Sequence, residues 1–235
     1  MPDPTDRLVF WDVDTQFDFM TPPESGGKLY VKDASDPTDP GATVIVPQLR
    51  QLSAYARDHG ILRVATGDWH TLGHREIDVE NPDFRNTFPP HCLAGEPGSE
   101  KIPETALRDP IVIPLRADPE DAREAVRRAR AEQRDIFLHK EEFSCFAGTP
   151  ATDALLRALE AETLVVYGVA LDVCVRYAVE GMLERGQQVY LVEDATWGLG
   201  LEPREVLLRG WSHRGVRRVT SAEVTAHYPP RLPTA

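Results

Sequence analysis

Short apolar runs alternate with longer stretches of helical periodicity along this chain. The runs fall at residues 8–13, 61–65, 111–113, 136–138, 164–169, 189–192 and 216–219. Each is continuous rather than alternating, the pattern of a strand buried on both faces. Between several of them lie helical patterns. Residues 42–59 carry apolar positions at Val46, Leu49, Leu52 and Ala56, with Gly60 as a stop signal. Residues 118–134 are charged on most faces and predict an exposed helix. Residues 149–161 open with Thr149 at a cap position and Pro150 in the first turn, where a missing N–H does no harm. Segments 172–185 and 203–214 complete the set. Strands alternating with helices of this length predict an α/β fold, a three-layer sandwich whose mostly parallel central sheet is flanked by helices on both faces.

No composition shift or flexible linker divides the 235 residues, so a single domain over 1–235 is expected. Two irregular regions stand out: 21–41, rich in Pro, Gly and Asp, and 68–100, which is dense in His and acidic residues. Long loops in a compact domain are usually functional or mobile. The tail YPPRLPTA, from Tyr228 to Ala235, reads as a loosely held end.

Composition narrows the function classes. Hydrophobic residues make up 41% and charged residues 27%, ordinary values for a globular protein. A formal charge of −12 argues against nucleic acid as a partner, because phosphate-backbone binding needs clustered Lys and Arg. No run approaches the roughly 20 apolar residues of a membrane span, and the start MPDPTDR lacks the basic and apolar regions of a secretory signal. A cytoplasmic protein with no membrane partner is expected. Three cysteines, Cys92, Cys145 and Cys174, form an odd, sparse set that suits free thiols in a reducing compartment.

In sheets of this type ligands collect beyond the carboxyl ends of the strands, so polar residues just after a strand carry most weight. Asp14, Asp68, Lys140 and Cys174 all occupy such places and are expected on one rim. In YGVALDVCVRYA, Cys174 falls in the strand-to-helix turn or the first helical turn, where the positive helix end favours a thiolate. Together Asp, Lys and Cys supply a proton acceptor, a cation and an attacking sulfur. The plainer alternatives are a packed core cysteine and a surface salt bridge from Lys140 to Glu141 or Glu142. Asp12 and Asp14 share a strand face, and spacing does not choose between them.

The run DWHTLGH holds Asp68, His70 and His74, with His91 beyond it. One carboxylate and three imidazoles suit a divalent ion, with zinc, iron or manganese compatible. Phe19 and Phe88 bracket this material and Trp69 lies inside it; aromatics there are usually plain packing, though a small flat ring as substrate would give them a second use.

These residues resemble the nicotinamidase (pyrazinamidase-type) branch of the isochorismatase-like cysteine hydrolases. The resemblance runs from about Leu8 to Trp197 and rests on five motifs in order: DTQFDF, GDWHTLGH, FPPHCLAGEPGSE, Lys140 and GVALDVC. It implies a parallel sheet flanked by helices and a catalytic triad of Asp14 (rather than Asp12), Lys140 and Cys174. It further implies an oxyanion hole from the backbone N–H groups of Ala170 and Cys174, with a cis peptide between Val169 and Ala170. One divalent ion, zinc first, would be held by Asp68, His70, His74 and His91, and Phe19 and Phe88 would touch a small amide substrate. The implied reaction is hydrolysis of nicotinamide through a Cys174 thioester, and a homo-oligomer is compatible with the chain. The sequence departs from the family pattern at several points: Phe88 replaces a frequent tryptophan, Arg75-Glu76 replaces Ser-Phe, Glu141 and Glu142 follow Lys140, the 21–41 loop is longer, and residues 201–235 extend past the common core. Competing readings are a sibling amidase acting on a carbamoyl or maleamate-like substrate, a zinc hydrolase whose metal-bound water attacks, and a catalytically silent binding protein on the same fold.

Overall fold

Strand β1, Leu8–Val13, is buried along its whole length and lies at the centre of a seven-stranded sheet. The computed structural model describes residues 7–227 together with Pro229, Pro230 and Leu232; most of the tail read as loosely held lies outside them. In chain order the elements are β1, α1 (Phe17–Met20), α2 (Val46–Asp58), β2 (Leu62–Asp68), β3 (Ile111–Ile113), α3 (Pro119–Glu132), β4 (Ile136–Lys140), α4 (Cys145–Gly148), α5 (Thr152–Leu159), β5 (Thr163–Val169), α6 (Cys174–Glu184), β6 (Val189–Trp197), α7 (Arg204–His213), β7 (Arg217–Val219) and α8 (Ser221–Thr225).

The strand order is β3-β4-β2-β1-β5-β6-β7, and every pairing is parallel. Chain direction across the sheet reverses at β1, so right-handed crossovers send α2 to one face and α3, α5, α6 and α7 to the other. Contacts agree: α2 packs on α8 and β6, whereas α3, α5, α4 and α6 form a connected layer. The expected three-layer α/β architecture is the observed one. Both faces are covered, and the apolar strand runs form one continuous core with the helices' inner faces. No described helix is long and apolar enough to cross a membrane.

Two expectations change. Helix α3 is not exposed on every side: Ala122, Ala125, Val126 and Ala129 are buried, an i, i+3, i+4, i+7 stripe of small side chains that the surrounding charges masked. Its start is fixed by a capping box between Asp118 and Asp121. Helix α5 begins at Thr152, not Thr149. Thr149 is buried instead, its hydroxyl donating to the His139 carbonyl at the end of β4.

Candidate active site

The strand order sets the carboxyl ends of β4, β2, β1 and β5 side by side, at the place where chain direction reverses. Lys140 ends β4, Asp68 ends β2, Asp14 follows β1 directly, and Cys174 opens α6 after β5. Close approach of β5 to β1 depends on Gly168, which has φ 121° and in which a Cβ would lie 2.0 Å from the Val13 carbonyl oxygen. The next peptide but one, Val169–Ala170, is cis, as the resemblance implied. The following turn bonds the N–H groups of Leu171, Val173 and Val175 to carbonyls of Trp197 and Ala170, and this internal bonding does not use the N–H groups of Ala170 and Cys174.

Asp14, Lys140 and Cys174 meet. The Lys140 Nζ lies 2.9 Å from Asp14 Oδ2 and 3.5 Å from Cys174 Sγ, and it also hydrogen-bonds Asp68 Oδ1. It is 1% exposed, so its partners are these groups and not Glu141 or Glu142. Thr66 donates its hydroxyl to Asp14 Oδ1 at 2.6 Å, which fixes the carboxylate plane. Asp12, the alternative, is committed elsewhere: it accepts from Lys101 Nζ at 2.9 Å and from the Thr15 hydroxyl at 2.8 Å.

Burial and charge divide the protons among these groups. Burial pushes the Asp14 carboxyl above its ordinary value, only partly offset by the Lys140 ammonium. Burial raises the Cys174 thiol well above the usual range, with Lys140 opposing, and a carboxylate oxygen of Asp14 lies within 4.8 Å of the sulfur. Burial opposes charge on Lys140 too, yet Asp14 and Asp68 outweigh it and hold the ammonium protonated. A thiol, a carboxyl group and a fixed cation thus stand close together, so a proton passing from the Cys174 sulfur to ionised Asp14 leaves a thiolate beside the Lys140 ammonium.

Asp68 faces two ways. Its Oδ2 lies 3.6 Å from His70 Nε2 and 3.8 Å from His91 Nε2. Burial disfavours its charge, but Lys140 and His70 overcome that and keep the carboxyl well below its ordinary value. One ligand atom each from Asp68, His70 and His91 lie within 4.8 Å of one another. The donor chemistry fits a divalent ion: His91 gives its Nδ1 proton to the Pro89 carbonyl at 2.7 Å, leaving the Nε2 lone pair toward Asp68. His70 Nε2 is buried without a hydrogen-bond partner. A carboxylate with two imidazoles is a metal-ligand set that leaves positions open. His74, expected as a fourth ligand, packs beside His70 with their Nδ1 atoms 3.4 Å apart, while its Nδ1 accepts the Thr71 N–H and its Nε2 lies 3.1 Å from Glu141 Oε2.

Two further residues anchor this arrangement. Gln16 donates to the Asp68 and Ser99 carbonyls at 2.8 and 2.7 Å and accepts the Asp68 N–H at 2.7 Å, pinning the end of β2. Asp18 accepts the N–H groups of Cys92 and Lys28, which secures the segment carrying His91. Both belong to the DTQFDF run, where polar residues beside a buried strand were the available signal.

Cys174 and Asp68 open into a cleft of about 340 Å³. Phe19, Phe88 and His91 line it, as do Leu29 and Val31 from the 21–41 loop, Phe143 after β4, and Val173 and Leu199. The expected aromatic pair is thus in place, and the long loop closes one side. Among the described residues the lining holds no Lys or Arg; Lys140 lies behind Cys174 and Asp68.

Residues 114–223, which include Lys140 and Cys174, match the Isochorismatase domain. The chain is 26% identical over 212 residues to the nicotinamidase/pyrazinamidase of Mycobacterium tuberculosis, covering 89% of this chain and 97% of that one. Its fold matches the pyrazinamidase of Pyrococcus horikoshii in complex with zinc, at TM-score 0.63 and 27% identity, over 91% of this chain and 99% of the other. Across residues 114–223 the chain is similar to the isochorismatase-like hydrolases. The fold also superposes on that of the N-carbamoylsarcosine amidase of Thermoplasma acidophilum, at TM-score 0.61 and 22% identity, over 92% and 98% of the two chains. A cysteine hydrolase needs its nucleophile and its general base close together, and here a carboxylate oxygen of Asp14 lies within 4.8 Å of the Cys174 sulfur.

Proposed function

We propose that this hydrolase converts nicotinamide and water to nicotinate and ammonia, with Cys174 as nucleophile, Asp14 as proton carrier and Lys140 as the fixed cation. The carrying observation is the meeting of these three side chains on the floor of a small, phenyl-walled cleft with an Asp-His-His cluster at its side. Asp14 takes the thiol proton while the sulfur attacks the carboxamide carbon. The carbonyl oxygen gains charge facing the N–H groups of Ala170 and Cys174, where one such donor is typically worth about 10²–10³ in rate. Asp14 hands its proton to the departing nitrogen, the C–N bond breaks, and ammonia leaves a thioester. Water then attacks the thioester carbon as Asp14 accepts a proton, the C–S bond breaks, and the proton returns to the Cys174 sulfur. Lys140 stabilises the anionic charge that passes between Asp14 and Cys174 throughout.

Asp68, His70 and His91 would hold a divalent ion, zinc by analogy with the zinc complex of the Pyrococcus protein and by its donor set, with iron or manganese compatible. When bound, the ion supplies a Lewis-acid contact for a ring nitrogen and orients the substrate. His74 would join only by leaving Glu141. Phe19 and Phe88 are read as substrate contacts, stacking or bracketing a flat ring. A carboxylate-bearing amide, such as a maleamate-like or carbamoyl amino acid, is disfavoured because, among the described residues, the cleft lining holds no Lys or Arg and the Lys140 ammonium behind it is already paired with Asp14 and Asp68. The product places the enzyme in nicotinamide recycling toward pyridine nucleotides, in the cytoplasm, as a single domain with a small-molecule partner.

Ammonia release is the test. Nicotinamide and pyrazinamide should be turned over by the wild type and not by Cys174→Ala, whereas retention of most activity in that variant would favour attack by metal-bound water. Turnover of acidic amides in preference to nicotinamide would replace the substrate while keeping the triad.

A further inference from the structure

The two phenyl walls of the cleft come from separate parts of the chain. Phe88 lies near the middle of the long segment between β2 and β3, and Phe143 lies in the turn after β4. One residue holds both. The Glu76 carbonyl accepts the Phe88 N–H at 2.8 Å, and the Glu76 carboxylate accepts the Phe143 N–H at 2.7 Å. The neighbouring Ile77–Phe88 bridge and the Asp78 N–H to Phe88 carbonyl bond extend the first attachment into a short ladder. The second attachment has no such support, since the Phe143 N–H is met by a side chain alone.

Glu76 is 7% exposed, a costly place for a carboxyl group unless it serves as an acceptor. Its bond carries Phe143 to a ring separation of 5.9 Å from Phe88 at an interplanar angle of 80°, with Tyr177 stacked behind Phe143 at 6.1 Å. The two rings meet edge to face, and their position bounds the cleft onto which the Cys174 sulfur opens.

We propose that Glu76 is a positioning residue that sets the width of the cleft by tying Phe143 to the segment carrying Phe88, so that thin planar molecules enter and wider ones do not. The role deepens the substrate reading above, since a width filter would admit an unsubstituted ring amide and refuse substituted ones. It requires an acceptor oxygen at residue 76 rather than a charge.

Alkylation of Cys174 tests it without any assumed substrate. Rates for iodoacetamide and for the wider N-phenyl iodoacetamide are measured by peptide mass mapping on the wild type, Glu76→Met and Glu76→Gln. The wild type should prefer the small reagent, Glu76→Met should lose about tenfold of that preference, and Glu76→Gln, which retains an acceptor, should stay within about twofold of wild type. With nicotinamide, Glu76→Met should raise KM and leave kcat near its wild-type value. An unchanged reagent preference in Glu76→Met overturns the proposal, as does a Glu76→Gln that behaves like Glu76→Met. If Glu76→Met does not fold, Phe143→Ala removes the tethered wall itself and must abolish the preference. A wild type that alkylates selectively but leaves nicotinamide intact would refute the substrate and leave the width filter standing.

Discussion

The triad and the metal cluster share Asp68 but are built in different ways. Asp14, Lys140 and Cys174 stand at or just past the carboxyl ends of β1, β4 and β5 in one parallel sheet, where register places the strand ends: Asp68 pairs with Lys140 across β2 and β4, and Val13 with Gly168 across β1 and β5. His70, His74 and His91 lie on a loop outside the sheet, held by side-chain anchors and short backbone bridges. Ladder hydrogen bonds leave little freedom at a strand end, whereas a loop histidine can turn to a competing partner. His74 does so with Glu141. The lesson is that strand-end chemistry follows from topology, while loop ligation depends on neighbours that spacing does not specify.

The comparison breaks first, if at all, at the triad. Replacing Cys174 by Ala should lower kcat for nicotinamide by about 10⁴ or more, with the fold retained by thermal melting. Retention of a tenth of the activity would make the sheet-end constellation incidental. On the loop, His91→Ala should reduce bound divalent ion and kcat/KM by about 10²-fold, measured by metal analysis and by restoration with added zinc. Chelation of the wild type should give the same loss reversibly.

His139 joins the two regions, because its ring, on β4, stacks at 4.0 Å on Trp69 of the loop. Burial drops its pKa from 6.5 to about 4. Since the folded value is depressed, the unfolded chain takes up a proton near pH 6.5 that the folded chain refuses until about pH 4. Stability is therefore kept above pH 6.5 and lost as pH falls through that window. His139→Phe should lose less over the same range, by roughly 1–3 kcal/mol in denaturant melts at the two ends. Parallel pH dependence of the two proteins would remove His139 from the account.

The smallest effect sharpens the contrast most. His74→Ala removes a polar contact with Glu141 at the rim, and partly exposed contacts of that kind are worth about 0–1 kcal/mol. Metal content and kcat/KM should change by less than about fivefold, against the far larger loss at His91. Equal losses at His74 and His91 would mean that His74 leaves Glu141 to join the cluster.

Much of this was legible before the fold was known. Continuous apolar runs gave all seven strands because a sheet covered on both faces admits few polar residues, and the positions after them gave Asp14, Asp68, Lys140 and Cys174. The choice of Asp14 over Asp12 needed either the resemblance or the structure, where Lys101 occupies Asp12. Helix α3 hid its alanine stripe behind arginines and glutamates, and Thr149 resembled a helix cap because its bond to His139 is long-range. Glu76, Leu29, Val31, Phe143 and Leu199 carry no pattern of their own; only three-dimensional proximity reveals them.

The central claim is that the sulfur at residue 174 carries the acyl group. Acid quench during turnover of nicotinamide, followed by peptide mass analysis, should find a nicotinoyl group on the peptide containing Cys174 and none on those containing Cys92 or Cys145. Steady turnover with every cysteine unmodified, under conditions that preserve thioesters and with deacylation slowed, would contradict it.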